Sequence, residues 1–78
     1  MEINQFIAHF AAQFDDTEAD EFKAETKFRE VEEWSSLVAL SVIAMTDEEY
    51  NVVLKGEDIR KAQSIKDLFE VVRSRLQG

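Results

Sequence analysis

The chain is 78 residues long, the length of one small domain, and its nine basic and seventeen acidic residues give a net charge of −8. It contains no cysteine and a single histidine, which excludes disulfides, cysteine-ligated zinc, thiol nucleophiles and multi-histidine metal sites. The negative charge disfavours contact with nucleic-acid phosphates, and no apolar run reaches the roughly 18 residues that a membrane helix needs.

The first element is predicted to be a helix, because apolar residues recur at spacings of three and four. Its apolar face consists of Ile3, Phe6, Ile7, Phe10 and Phe14. A long connection without a clear period follows, and it is strongly acidic, with nine acids and three bases in residues 15–33. We expect a short turn of helix at Thr17–Asp20. Phe22, Phe28 and Val31 are expected to anchor the connection to the core.

The central helix is predicted to run from about Ser36 to Tyr50, with the acidic end Asp47-Glu48-Glu49. Negative side chains at a helix C-terminus oppose the helix dipole, a local cost that is usually tolerated where another function gains from it. The apolar run Val52–Leu54 has no second strand to pair with, so we interpret it as a loop packed on the core. A short helical turn is expected around Glu57–Ala62.

The last helix is predicted from a repeated apolar pattern: Ile65, Leu68, Phe69, Val72 and Leu76. Ser64 precedes this run and Asp67 follows three positions later, a pattern that resembles a capping box with the shorter acid. Proline is absent and only two glycines occur, so helix breakers are nearly missing. The sequence therefore predicts a single all-α domain over residues 1–78, a small four-helix bundle of three main helices and one short helix with a long first loop.

Several chemistries are excluded by the pattern of residues. His9 is the only imidazole, and its place beside Phe10 on an amphipathic helix is typical of a surface or boundary residue. The alternating acids from Asp16 to Asp20 resemble a calcium loop, but Glu21 stands where that loop needs Gly, and Lys27 where it needs Glu. Since a glycine-rich phosphate loop and paired catalytic residues are also missing, we expect neither an enzyme nor a metal site.

Trp34-Ser35-Ser36-Leu37 stands at the head of the central helix. Serine is a favoured N-cap, so the two serines are explained in part by the start of the helix. A serine at a helix N-terminus is also exposed, close to the positive end of the helix dipole, and well placed to carry a phosphate ester. The acidic connection before the serines and the acidic end of the helix favour this second role.

With these features the chain resembles the acyl carrier protein family over essentially its whole length. The family has a Phe, a Glu two residues later, and Asp-Ser-Leu at the head of the second helix. Here Phe28, Glu30 and Ser35-Ser36-Leu37 stand at matching separations. The resemblance continues through the acidic helix end, the aromatic Tyr50, a short third helix and a final helix opened by Ser64-Ile65. It implies a carrier without catalytic activity that holds acyl groups as thioesters on phosphopantetheine donated by coenzyme A.

By alignment with Leu37, the resemblance assigns phosphopantetheine attachment to Ser36. The family usually has Asp immediately before the modified serine, whereas here that residue is Ser35, whose hydroxyl is the alternative attachment site. The loss of the Asp removes one negative contact for a basic modifying enzyme. Glu32 and Glu33 lie close enough in the sequence to replace that contact in part.

The resemblance further implies two kinds of partner: a phosphopantetheinyl transferase, and enzymes of fatty-acid or related acyl-chain synthesis with basic docking surfaces. The residues that we expect these partners to contact are Glu30, Glu32, Glu33, Leu37, Asp47, Glu48 and Glu49. Two alternatives stay open: a carrier dedicated to polyketide, aminoacyl or cell-envelope acyl transfer, and an unmodified acidic interaction domain on the same fold. We expect a monomer, and a cytoplasmic one because the N-terminus lacks the basic start and apolar stretch of a signal peptide.

Overall fold

The computed structural model describes residues 2–77. Its four helices are α1 (Ile3–Ala11), α2 (Ser36–Tyr50), α3 (Gly56–Lys61) and α4 (Ile65–Gln77). Residues 2–77 contain no strand, so the predicted all-α bundle of three longer helices and one short helix is confirmed. Within the same range, no helix is both long enough and apolar enough to cross a bilayer.

The core lies between α1, α2 and α4, which contact one another in pairs. Phe6 and Phe10 of α1, Val42 of α2 and Ile65 of α4 are fully buried. The ring of Phe6 meets that of Phe69 edge-on at 5.7 Å between centroids, so the apolar faces predicted for the two terminal helices do pack on each other. Burial of this kind is the main source of stability in a chain of this size.

The structure departs from the predicted helical faces at two residues. Because α1 ends at Ala11, Phe14 is not helical, but a turn closed by its N–H donating to the Ala11 carbonyl (3.0 Å) still buries its ring. Leu76 was predicted to be in the core and is 44% exposed. It lies on the last turn of α4, beyond Val72, where the helix no longer contributes to the core.

The long connection between α1 and α2 is folded onto the core. As expected, Phe22 and Phe28 are buried and Val31 packs against the core from a half-buried position. Two 3₁₀ turns, Ala19–Glu21 and Phe28–Glu30, shape the connection. The aromatic anchors therefore account for how a segment without helical period becomes ordered.

The backbone of this connection also meets the first turn of α4. The N–H of Ile65 donates to the Thr26 carbonyl (3.1 Å), and that of Lys66 donates to the Ala24 carbonyl (2.9 Å). The first N–H groups of a helix have no partner within the helix, so these bonds satisfy two of them. The long connection and the last helix are thereby joined directly.

The predicted capping box at the start of α4 is confirmed. The N–H of Asp67 donates to Ser64 Oγ at 3.2 Å, and Asp67 Oδ2 accepts from the N–H groups of Ser64 (3.2 Å) and Gln63 (3.0 Å). These bonds hold the pKa of Asp67 below its ordinary value of 3.8, the Gln63 N–H contributing most. The carboxylate therefore stabilises the helix start in its charged form.

The segment between α2 and α3 is a loop packed on the core, as predicted. Asn51 ends α2 in the left-handed conformation (φ 56°), which asparagine tolerates better than most residues, and its N–H donates to the Asp47 carbonyl at 3.0 Å. Val52 and Leu54 are buried, whereas Val53 is exposed. The change of direction at Asn51 thus turns two of the three apolar side chains inward.

The short helix α3 is fastened to α4 by a two-pronged ion pair. Arg75 Nη1 donates to Asp58 Oδ2 (2.9 Å) and Nη2 to Oδ1 (2.7 Å), a geometry that suits the planar guanidinium. Asp58 Oδ2 also accepts from the Lys55 N–H at 2.8 Å. The Arg75 side chain and then the Lys55 N–H hold the pKa of Asp58 below its ordinary value of 3.8.

Candidate functional site

Ser35 and Ser36 have different positions at the start of α2. Ser35 is the N-cap, with extended backbone, and its Oγ accepts a hydrogen bond from the Val38 N–H at 3.3 Å. Ser36 is the first helical residue and is exposed, and its hydroxyl has no hydrogen-bond partner within residues 2–77. Aspartate and serine are comparable N-caps, so Ser35 supports the helix start in the way that the Asp of the carrier motif would.

A groove of about 590 Å³ opens beside Ser36, between the start of α2 and α3. Its lining residues are Arg29, Trp34, Ser35, Ser36, Ala39, Leu40, Ile43, Gly56, Ile59 and Arg60. The groove is of the size of small-molecule sites and is mostly apolar. It brings a nucleophilic hydroxyl, an apolar wall and two guanidinium groups into one place.

Of these lining residues, the sequence analysis named only Ser36 and the alternative Ser35 as site residues. Leu40 could have been found, because it lies four positions after Ser36 and therefore on the same side of a helix. Arg29 and Arg60 belong to segments far apart in the sequence, and only the packing of the long connection against α3 brings them together. No local pattern signals such a pair.

One face of α2 is apolar and exposed next to Ser36. Leu37 is 74% exposed and Leu40 is 63% exposed, which is unusual for large apolar side chains. At 100° per residue, Ser36, Leu37, Leu40, Asp47 and Glu48 fall on this side, and the buried residues fall on the other. Glu48 lies about 18 Å along the helix from Ser36. We call this side the docking face.

Glu49 does not lie on the docking face. Its Oε1 is 4.0 Å from His9 Nε2 of α1, so its carboxylate is directed toward the neighbouring helix. His9 is half-buried and meets the Tyr50 ring edge-on at 5.7 Å, which agrees with the predicted boundary position. The acidic end of α2 is thus divided, with Asp47 and Glu48 turned outward and Glu49 beside α1.

Glu30 and Glu32 lie on a different surface, formed by the long connection. Both are exposed and line an open cleft of about 560 Å³. The other carboxylates of this cleft are Asp16, Glu21 and Glu33. Within residues 2–77, no three histidine, aspartate or glutamate side chains are grouped so as to hold a metal ion. The cleft therefore adds negative potential before α2 without forming a cation site.

Glu33, predicted as a partner contact, already has partners within the chain. Its carboxylate accepts from three consecutive backbone N–H groups, those of Asp15 (2.6 Å), Asp16 (3.0 Å) and Thr17 (3.0 Å), and from Thr17 Oγ1 (2.8 Å). The Asp15 N–H, together with the other donors, holds the pKa of Glu33 below its ordinary value of 4.5. Glu33 thus ties the start of the long connection to the residues that lead into α2.

Replacing Glu33 by Gln is expected to lower stability at neutral pH. The amide NH₂ of glutamine would replace one accepting oxygen and would face backbone N–H groups, with which it cannot form hydrogen bonds. Since the folded pKa of Glu33 is lowered, its contribution is complete above pH 4.5 and is lost as the pH falls through the folded pKa. The difference between wild type and Glu33→Gln in urea unfolding is therefore expected at pH 7 and should shrink toward pH 3. Glu32→Gln is the matched control, and an equal loss there would contradict the role assigned to Glu33.

Comparison with known proteins does not add a family to this description. No protein-family model matches the chain, and neither the curated proteins nor the solved structures give a significant match.

Proposed function

We propose that the chain is an acyl carrier protein that bears phosphopantetheine on Ser36 and passes thioester-linked acyl groups between enzymes of fatty-acid or related acyl-chain synthesis. The observation that carries the proposal is the arrangement at the start of α2. Ser35 caps the helix, and the Ser36 hydroxyl is exposed and without an internal partner. A phosphodiester on Ser36 would lie at the positive end of a helix of 15 residues, where negative charge is favoured.

The groove beside Ser36 supports the same proposal. The groove has an apolar wall formed by Ala39, Leu40 and Ile43 of α2 and Ile59 of α3. An acyl chain is more stable against such a wall than in water. An arm attached to Ser36 would start at the rim of this groove. The chain's own residues would bind and shield the cargo and would perform no bond-making step, so the protein is not proposed to be an enzyme.

Partner enzymes are proposed to bind the docking face of α2. Leu37 and Leu40 would supply apolar contact area, and Asp47 and Glu48 would attract a basic surface. Glu30 and Glu32 extend the negative potential on the other side of Ser36. The protein is proposed to act as a cytoplasmic monomer that meets its transferase and its acyl-processing enzymes in turn.

The proposal is tested by intact-mass measurement after incubation with coenzyme A and a broad-specificity phosphopantetheinyl transferase. One phosphopantetheine group per chain is the expected gain. An unchanged mass, with a control carrier fully modified in the same tube, would contradict the proposal and favour an unmodified acidic interaction domain. If the mass does rise, the acyl groups found on the arm after expression in the native host distinguish general fatty-acid synthesis from a dedicated pathway.

Reversing the charge of Glu48 is expected to slow association with the transferase. Two charge units at about 10 Å from a partner charge in water are worth about 0.8 kcal/mol, or roughly a fourfold lower rate at low salt. The difference should shrink at high salt, where screening shortens the range of the field. Stopped-flow association of Glu48→Lys measures both effects.

Glu2→Lys is the control for this charge reversal, because Glu2 is exposed and lies before α1. Asp67 is unsuitable, since its carboxylate caps α4. Equal slowing by Glu48→Lys and Glu2→Lys would mean that net charge alone governs association, and the docking face would have to be abandoned.

A further inference from the structure

The groove beside Ser36 is positively charged, although the chain as a whole carries −8. Two arginines, Arg29 and Arg60, line it, and no aspartate or glutamate does. The rest of the lining is apolar or uncharged. A hydrocarbon chain alone makes no use of two guanidinium groups, whereas an anion does.

Arg29 is held at the wall of the groove. Its Nη1 donates to the Ile59 carbonyl of α3 at 2.6 Å, and its guanidinium carbon lies 5.2 Å from the centroid of the Phe28 ring. Within residues 2–77 it forms no ion pair. A guanidinium group has five N–H donors, so most of them stay available to a ligand after the bond to Ile59.

Arg60 lies on α3 and has no carboxylate partner in the part of the chain that the structure describes. Both acids of its own helix are engaged elsewhere, because Glu57 pairs with Lys61 at 3.2 Å and Asp58 pairs with Arg75 at 2.7 Å. A side chain at Gly56 would come within 3.7 Å of Arg60 Nη1, so the guanidinium extends back along α3 over this glycine. Neither cation of the groove therefore forms an ion pair within residues 2–77.

We propose that this groove selects acyl cargo whose chain carries a carboxylate, with Arg29 and Arg60 as the groups that recognise the anion. The apolar part of the cargo packs along Ala39 and Ile43, and the planar guanidinium groups match the geometry of a carboxylate. The inference rests on the proposed function in one respect, namely that an arm on Ser36 delivers the cargo to the groove. The recognition itself belongs to the groove and is measurable in the unmodified chain.

Trp34 provides the readout, because it is the single tryptophan of the chain and lines the groove. Its emission is followed while unmodified protein at low salt is titrated with octanoate, and separately with the neutral octanamide of equal chain length. The two guanidinium groups favour the carboxylate over the neutral amide, although both are exposed to solvent, so octanoate is expected to bind severalfold more tightly than octanamide. Equal affinity of the two probes, or no saturable change with either, overturns the proposal.

The double variant Arg29→Gln/Arg60→Gln should remove the preference and bind both probes alike. Lys66→Gln/Arg73→Gln changes the net charge by the same amount outside the groove and should keep the preference. Because Arg29→Gln loses the bond to the Ile59 carbonyl, the single variant Arg60→Gln is measured as well and should lose part of the preference without a change in fold. A preference that survives Arg60→Gln and the double variant overturns the assignment of the two arginines.

Inorganic phosphate tests whether the arginines instead hold the phosphodiester of the arm. Phosphate that displaces octanoate at millimolar concentration, with an affinity equal to that of octanoate, overturns selection of a carboxylate-bearing chain. The mass measurement on the same chain reports the proposed function independently. If the transferase modifies the chain but the two probes bind alike, only the groove's selectivity is refuted. If the transferase leaves the mass unchanged but octanoate is clearly preferred, only the carrier proposal is refuted.

Discussion

Ser36→Ala is expected to abolish phosphopantetheine attachment and to leave stability unchanged. Ser35→Ala is expected to keep the attachment and to lower stability. Ser36 supplies the exposed hydroxyl, and its side chain makes no hydrogen bond within residues 2–77. Ser35 Oγ accepts from the Val38 N–H, and loss of such a cap costs about 0.5–2 kcal/mol. Intact mass and thermal unfolding of both variants measure the two effects separately.

Ser35→Asp is the informative control for this pair. It introduces an acidic N-cap, so it is expected to keep both the stability and the modification of the wild type. The added negative charge is expected to speed association with a basic transferase. If the Ser35→Ala protein were the one that failed to gain mass, the attachment residue would be Ser35 and the alignment through Leu37 would be wrong by one position.

Phe10→Ala is expected to destabilise the fold by about 3–5 kcal/mol. Its ring is fully buried and lies between aromatic neighbours, 5.7 Å from Phe28 and 5.9 Å from Phe22 between centroids. The cavity left by truncation would face the anchors that hold the long connection, so the loss extends beyond α1. Since natural domains have only about 5–15 kcal/mol of stability, the variant is expected to be largely unfolded at elevated temperature.

Urea unfolding followed by circular dichroism measures this loss, with Phe69→Ala expected to show a similar effect because Phe69 is 7% exposed. Leu37→Ala is the matched truncation of an exposed apolar residue and should stay within about 0.5 kcal/mol of the wild type. Small effects at Phe10 and Phe69 together would mean that the packing of the terminal helices is not as described.

The helices could be predicted from the sequence because their signals are local. The start of α2 follows from the capping serines, and the start of α4 follows from Ser64 and Asp67, whose side chains bond to backbone groups within a few residues. The apolar spacing of α1 likewise needs no knowledge of the rest of the chain. The exposed position of Leu76 could not be predicted, since it depends on where the neighbouring helices end.

The candidate site could be predicted only in part, for the same reason. The exposed position of Ser36 follows from the local start of one helix, whereas its proposed role rests on the resemblance to acyl carrier proteins. The exposure of Leu40 was not predicted, although it lies on the same side of that helix. The internal role of Glu33 depends on the return of the connection to Asp15–Thr17, and the pairing of Arg29 with Arg60 depends on how the connection meets α3. Contacts of this kind join segments that are distant in the sequence, and no spacing rule encodes them.

The bonds from Ile65 and Lys66 to the carbonyls of Thr26 and Ala24 impose an order of events during synthesis. The long connection leaves the ribosome well before its partners in α4, because some forty positions separate them. A nascent chain that ends before Ile65 therefore lacks these two hydrogen bonds, so residues 24–26 gain their last backbone partners only when the start of α4 has been made.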